Sequence, residues 1–445
     1  MKHITDTCSR SVTCRKLGMV GSILFKSVTF RWLVPAILVM LAAGCGPAHY
    51  LERDIRSSAA ARNHHSGFVL YDPAKQKVLA EVNGDRYFTP ASNTKILTLY
   101  AGLTLLGDSI PALRYRISGD SLIFTGTGDP SFLNPDTHTT ANVTALLGAF
   151  PGKLYLTPPV YQTEHFGPGW AWDDFDAYYQ PERSFMPVYG NTIRVSDRRV
   201  MPKLFSDSIR WMAKSPFARD AAINRFRLDP ADPSAKTIPF RTSPSLVARL
   251  LSDTLNRPVE LLKDPFRGPY QVMKSVPADS LYKTMMQVSD NFLAEQILMM
   301  ASMTLSDTLD VQPAIRHLLR NDLSKLPQRP RWVDGSGLSR YNQITPAAIV
   351  RLWELLYDKV PRERLFPLLA ASGRNGTLEK GFAGRAPFIF GKTGTLSNNY
   401  CLSGFLITRR GRLLIFSSMN ANFTVPVRNI RAGLEKTLYR IHEKF

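Results

Sequence analysis

A serine and a lysine three positions apart, Ser92-Asn93-Thr94-Lys95, stand at the head of a stretch in which Ile96, Leu99, Tyr100, Leu103 and Leu106 recur at helical spacing until Gly107. Positions i and i+3 share a helix face, so the Ser92 hydroxyl and the Lys95 amine come within hydrogen-bond reach. A serine hydroxyl needs an adjacent base to become a nucleophile at neutral pH. A lysine can be that base once burial and a nearby cation depress its pKa. The helix N-terminus adds N–H groups and a positive dipole end that suit a developing oxyanion. Alone the pattern says little, since about one or two S-x-x-K matches are expected by chance in a chain this long. Ser280-Leu-Tyr-Lys283 is such a second match, and reads as the solvated face of an amphipathic helix.

Two further motifs carry chemistry. Ser289-Asp290-Asn291 falls between two helical patterns, where these residue types either cap a helix or supply a proton-relaying hydroxyl and a substrate-holding amide. Ser397-Asn-Asn399 has the same form but follows the third motif. That motif, Lys392-Thr393-Gly394-Thr395, closes the strand-like Phe388-Ile-Phe-Gly391. Gly391-Lys392-Thr393 looks like the end of a phosphate-binding loop. However, six residues separate Gly384 from Gly391 where four are needed, and a strand follows where a helix is required. A lysine and two hydroxyls on a strand edge suit a carboxylate, and glycine admits a substrate backbone.

S-x-x-K, S-D-N and K-T-G in this order form the set found in class A β-lactamases and penicillin-binding proteins. Ser289 lies 197 positions after Ser92, far beyond the spacing in a class A β-lactamase. The chain resembles the low-molecular-mass class C penicillin-binding proteins, the D-alanyl-D-alanine carboxypeptidase/endopeptidase family, which carry inserted domains at that point. Gly128-Asp-Pro-Ser131, Pro168-Gly-Trp-Ala-Trp-Asp173, Val333-Asp-Gly-Ser-Gly-Leu-Ser-Arg340 and Gly376-Thr-Leu378 extend the resemblance over residues 67–445. It implies that Ser92 attacks the penultimate D-alanine of a peptidoglycan stem peptide and forms an acyl-enzyme, with Lys95 as base. Ser289 with Lys392 would return the proton, and Asn291 would hold the stem. Lys392, Thr393 and Thr395 would bind the terminal carboxylate beside Gly394, and the N–H groups of Ser92 and Thr395 would form the oxyanion hole. β-Lactam antibiotics would acylate Ser92 by the same route. A β-lactamase or an esterase on the same fold is the alternative. No cofactor or metal is expected, because the eight histidines are scattered and no H-E-x-x-H or C-x-x-C occurs.

The elements that must position these residues are mixed. Gly67–Tyr71 and Lys77–Val82 around Asp72-Pro73 read as a hairpin, before the helix that follows Ser92. Residues 113–266 read as an insertion of short strands and Gly/Pro turns, with helices only at Ala141–Phe150 and Ser243–Leu255. Helical patterns resume from Asp279 through Met286 and from Phe292 to Met303. Another follows Thr345-Pro346, with threonine as cap and proline in the first turn. Strands Phe388–Lys392, Tyr400–Thr408 and Leu413–Met419 precede a last helix from about Arg428. The expectation is an α/β (α+β) chain of penicillin-binding, β-lactamase-like fold: an antiparallel sheet flanked by helices, with a helical subdomain. Residues 67–112 and 267–445 form the peptidase domain, and the mostly β insertion interrupts it. Two features stay open. Trp170 and Trp172 beside Asp173 and Asp174 read as packing or as a groove, and Asp334-Gly-Ser-Gly337 as a tight turn or as part of the cleft.

With 44% hydrophobic and 21% charged residues, the 445-residue chain is neither disordered, nor collagen-like, nor a polytopic membrane protein. Its net charge of +20 favours an anionic neighbour without choosing one. Residues 1–31 are basic, and Trp32–Ala43 is apolar but too short to span a bilayer. Ala42-Ala43-Gly44-Cys45 then resembles a bacterial lipobox, although Leu41 stands one place early, so residues 1–45 read as a signal with Cys45 as the lipidation site. Met19 is an alternative start. Residues 46–66 read as a polar tether, and the expected location is periplasmic and anchored to a bacterial membrane. Nucleic acid is not an expected partner, because an exported chain rarely meets it and no basic-aromatic motif occurs.

Overall fold

The computed structural model describes residues 47–445, apart from 138–141, 214 and 383–385. Cys45 and the expected signal lie outside the described residues. The backbone of the molecule is a six-stranded, wholly antiparallel sheet in the order Ala370–Ala371, Ile389–Leu396, Asn399–Ile407, Leu413–Ala421, His65–Asp72, Lys77–Val82. Side chains alternate across it. Phe68, Leu70, Leu402, Leu406, Leu414 and Phe416 face one apolar layer, while Val69, Cys401, Phe405 and Ile415 face another. The first layer is completed by helix Val427–Lys444 through Ile430, Leu434, Leu438 and Ile441. The second is completed by helices Lys95–Leu105, Ala278–Gln287, Asn291–Ser306 and Pro346–Lys359. The first eight residues of Lys95–Leu105 are all buried. Such a helix lies wholly inside the protein and holds its N-terminal turn rigidly against the sheet. Thr345 accepts from Ala348 N at 3.1 Å with Pro346 in the first turn, as its sequence indicates.

A second, five-stranded sheet runs Val259–Leu261, Lys153–Leu156, Ser121–Gly126, Ser109–Ser118, Gln271–Pro277. Of its last two strands, Ser109–Ser118 begins before residue 113 and Gln271–Pro277 lies beyond residue 266, so the sheet takes in residues on both sides of the expected insertion. A three-stranded sheet (Lys236–Pro239, Thr192–Ser196, Arg199–Met201) and a parallel pair (Ile209–Trp211 with Phe226–Leu228) complete this mostly β part.

The stretch expected to be a tether is structured. Pro47–Ala61 is a helix, and His65 already belongs to the central sheet. Leu51 and Ile55, one helical turn apart, are buried beside Phe68, Leu70 and the C-terminal helix, and Arg440 pairs with Asp54 at 2.9 Å. Two apolar residues in a polar stretch suffice to dock it. Leu51→Ala is expected to remove about 2–5 kcal/mol of stability, read as a lower thermal midpoint; an unchanged midpoint would return this segment to a tether.

Candidate active site

Ala91–Thr94 forms a single tight 3-10 turn that runs directly into helix Lys95–Leu105. Ser92 therefore sits one turn ahead of the α-helix proper. Ala91 adopts a left-handed φ of 49°, an uncommon conformation for a residue with a side chain, and Thr94 Oγ1 closes the turn on Ala91 O at 2.9 Å. Lys95, fully buried, donates from Nζ to Ser92 Oγ at 3.0 Å, Asn291 Oδ1 at 2.6 Å and the Ser336 carbonyl at 2.6 Å. Burial is the main force on its pKa; the charges of Asp290, Asp334 and Glu295 oppose it, and the outcome is lowered to about 8.

Within Ser289-Asp290-Asn291 the capping role falls to the middle residue. Asp290 caps helix Asn291–Ser306 by accepting from Leu293 N at 2.8 Å. That leaves its neighbours for the cleft. Ser289, at φ 68°, accepts from Lys392 Nζ at 2.8 Å, and Asn291 is oriented by donating Nδ2 to the Tyr179 carbonyl at 3.0 Å. Lys392 is also fully buried and donates to the Thr393 carbonyl at 2.8 Å. Burial, and then the charge of Lys95, hold its ammonium well below the ordinary lysine range.

The strand Ile389–Leu396 passes directly over the Ser92 turn. A Cβ on Gly394 would meet Pro90 O at 2.7 Å and Ser92 N at 2.9 Å, so only glycine fits there. Asn93 latches turn to strand: its Nδ2 donates to Lys392 O at 3.0 Å and its Oδ1 accepts from Ser403 Oγ at 2.6 Å. Trp353 Nε1 in turn donates to Ser403 Oγ at 2.9 Å. Beyond Gly391 the outer edge of the strand has no strand partner among the described residues, since Ala370–Ala371 covers only Phe390 and Gly391. Thr393 Oγ1 donates to Thr377 Oγ1 at 2.7 Å, while Thr395 is exposed with the Arg431 guanidinium 3.4 Å from its hydroxyl. A cleft of about 2260 Å³ opens here, lined by Ser92, Ser289, Asn291, Thr393 and Thr395. Ser280 instead donates to Pro277 O at 2.6 Å and Lys283 is exposed, as befits a solvated face.

The loop Asp334-Gly-Ser-Gly337 is a turn that also builds the site. Gly337, at φ 85°, comes so close that a Cβ would lie 1.9 Å from Ala91 O. Gly335 O accepts from Thr98 Oγ1 at 2.7 Å. Asp334 is buried and accepts from Gly337 N, Ser339 N, Asn342 Nδ2 and Trp170 Nε1 at 2.7–2.9 Å. Trp170 is thus part of the support, whereas Trp172 is 78% exposed. Glu295, one helical turn after Asn291, accepts from Ser336 N at 2.7 Å and from Arg183 Nε at 3.0 Å. Glu295 and Arg183 are the site residues that the sequence motifs do not name, while Asn93 and Ser336 lie within quoted stretches without a role of their own. A glutamate, the single charged residue of the mostly apolar helix Asn291–Ser306, is the one local signal. Among the described residues, no group of three or more His, Cys, Asp or Glu is placed to hold a metal ion.

The family model of the D-Ala-D-Ala carboxypeptidase 3 (S13) family matches residues 51–228 and 258–440. D-alanyl-D-alanine carboxypeptidase DacB of Haemophilus influenzae is 23% identical over 414 residues, covering 79% of this chain and 84% of that one. The crystal structure of penicillin binding protein 4 from the same organism superposes with a TM-score of 0.72 at 19% identity, over 87% of this chain and 99% of that one. Its complex with a β-lactam superposes with a TM-score of 0.66 at 18% identity, over 88% and 100% of the two chains. A predatory peptidoglycan endopeptidase of Bdellovibrio bacteriovorus shares the fold at 13% identity and a TM-score of 0.50, over 85% and 92% of the two chains. A half-buried serine beside a buried lysine of lowered pKa, under a strand carrying a second buried lysine, therefore belongs to a member of the S13 family, the serine-type D-Ala-D-Ala carboxypeptidases.

Proposed function

We propose that Ser92 is the acylating nucleophile of this DD-peptidase and Lys95 its general base. The observation that carries this reading is the set of partners around Lys95 Nζ. Two of the three, Asn291 Oδ1 and the Ser336 carbonyl, can only accept. When Lys95 loses a proton, its remaining two N–H groups stay on those oxygens and its lone pair turns to the Ser92 hydroxyl. Ser92 Oγ then bonds to the carbonyl carbon of the penultimate D-alanine as its proton passes to Lys95. The bond to the terminal residue breaks, and its amine takes a proton by way of Ser289 and Lys392. Water then releases the acyl group. The free strand edge from Lys392 to Leu396 suits an extended stem peptide, which would pair with it as an added strand. Lys392, Thr393 and Thr395 would hold the terminal carboxylate, whose arrival restores the charge of Lys392. Cleavage of a D-Ala–diamino-acid cross-link is the same reaction with a larger leaving amine. A β-lactam would acylate Ser92 in the same way. The basic and apolar N-terminus supports export, and Ala42-Ala43-Gly44-Cys45 supports a lipid anchor on Cys45; no described helix is long and apolar enough to cross a membrane.

Incubation with benzylpenicillin followed by mass spectrometry and peptide mapping is expected to place a stable adduct on Ser92 and none on the Ser92→Ala protein. An adduct elsewhere, or penicillin consumed without an adduct, would overturn the assignment. Because the neutral form of Lys95 is the base, acylation should rise about tenfold per pH unit at low pH and level off above its pKa of about 8. A rate that is flat from pH 6 to 9 would remove Lys95 from this role. Cys45→Ala should shift the exported protein from the membrane to the soluble fraction, and unchanged partitioning would exclude the anchor.

A further inference from the structure

We propose that Arg183, supplied by the mostly β segment between Ser92 and Ser289, is a positioning residue for Lys95, acting through Glu295 and Ser336. The inference rests on Lys95 being the base. Arg183 and Glu295 are each only 1% exposed. The guanidinium donates to Glu295 Oε2 through Nε at 3.0 Å and Nη2 at 2.5 Å, leaving Oε1 to accept from Ser336 N at 2.7 Å. The carbonyl of that same Ser336 receives Lys95 Nζ at 2.6 Å. A continuous line of short, buried hydrogen bonds thus runs from the inserted segment to the amine.

The same segment has a second hold. Trp170 lies under the Arg183 guanidinium, 5.0 Å from ring centre to Cζ, and its Nε1 donates to Asp334 at 2.9 Å. Ser339 Oγ donates to Pro168 O at 2.7 Å. The loop that presents Ser336 O is therefore clamped from outside the peptidase sheet. The arrangement is also electrostatic. Lys95 is faced by Asp290 and Glu295 from their helix, by Asp334 from the loop and by Lys392 from the strand. Arg183 neutralises Glu295, so Lys95 meets an ion pair where it would otherwise meet a bare carboxylate. Removing the guanidinium strengthens the hold on the Lys95 ammonium and delays its deprotonation. Removing the carboxylate does the reverse. A purely structural ion pair would not produce opposite signs.

The test is the pH dependence of acylation by a fluorescent penicillin in Arg183→Met, Arg183→Lys, Glu295→Gln and Lys95→Ala proteins, each checked for folding by circular dichroism. Arg183→Met is expected to move the rising limb about one pH unit to the alkaline side and slow acylation at pH 7 about tenfold. Glu295→Gln should move the limb to the acid side, and Arg183→Lys should leave it nearly in place. A limb at the wild-type position in folded Arg183→Met and Glu295→Gln overturns the coupling. If Arg183→Met does not fold, Glu295→Gln decides alone. Lys95→Ala that still acylates would sink Lys95 as base, whereas its inactivity together with an immobile limb would sink only the role of Arg183.

Discussion

The burial of two lysine amines within one site is the constraint on which the rest depends. An ammonium removed from water is costly unless every proton it carries finds an acceptor or its pKa falls. Lys95 is given three acceptors and three nearby carboxylates; Lys392 is given a hydroxyl and a carbonyl, and the repulsion of Lys95 besides. The two amines are therefore held in different states of readiness. One is tuned to a pKa of about 8 and can exchange a proton near neutrality. The other is held by burial, and then by the charge of Lys95, well below the ordinary lysine range. Environment thus sets two residues of the same type apart within one site.

Holding the amines requires the close approaches seen around Ser92. Gly394 and Gly337 press the strand and the loop onto the Ala91–Thr94 turn from two sides, and Asn93 bolts the turn to the strand from within. Each contact joins segments far apart in sequence, so the geometry of the site depends on the sheet and the buried helix together. Stability and function draw on the same contacts here.

The motifs legible in the sequence are those whose chemistry is local. Ser92 and Lys95 lie within one turn, and Asp290 marks itself as a cap within the loop it ends. The central sheet was legible because its strands are rich in β-branched and aromatic residues and carry residues buried on both faces. What was not legible depends on partners that meet only in three dimensions. Arg183 and Glu295 are 112 positions apart, and neither carries a local pattern beyond a charge in an apolar setting. Helix Pro47–Ala61 is hidden because Leu51 and Ile55 are its only large aliphatic residues, too few to mark a periodic apolar face. The neighbouring strands Ser109–Ser118 and Gln271–Pro277 are irregular, each interrupted by proline or a register shift, and so blur where the inserted segment begins and ends.

Cys401, buried in the central sheet with its thiol pushed up to about 12 by burial, is the single cysteine of the described residues. A thiol with almost no thiolate character and no path to solvent neither attacks a disulfide nor yields to oxidants. The folded form of the described residues therefore holds no disulfide that the redox state of its surroundings could open or close. A wall-cutting enzyme built in this way is held by packing, hydrogen bonds and a buried ion pair without a cross-link among the described residues, and a reducing or an oxidising medium leaves its shape the same.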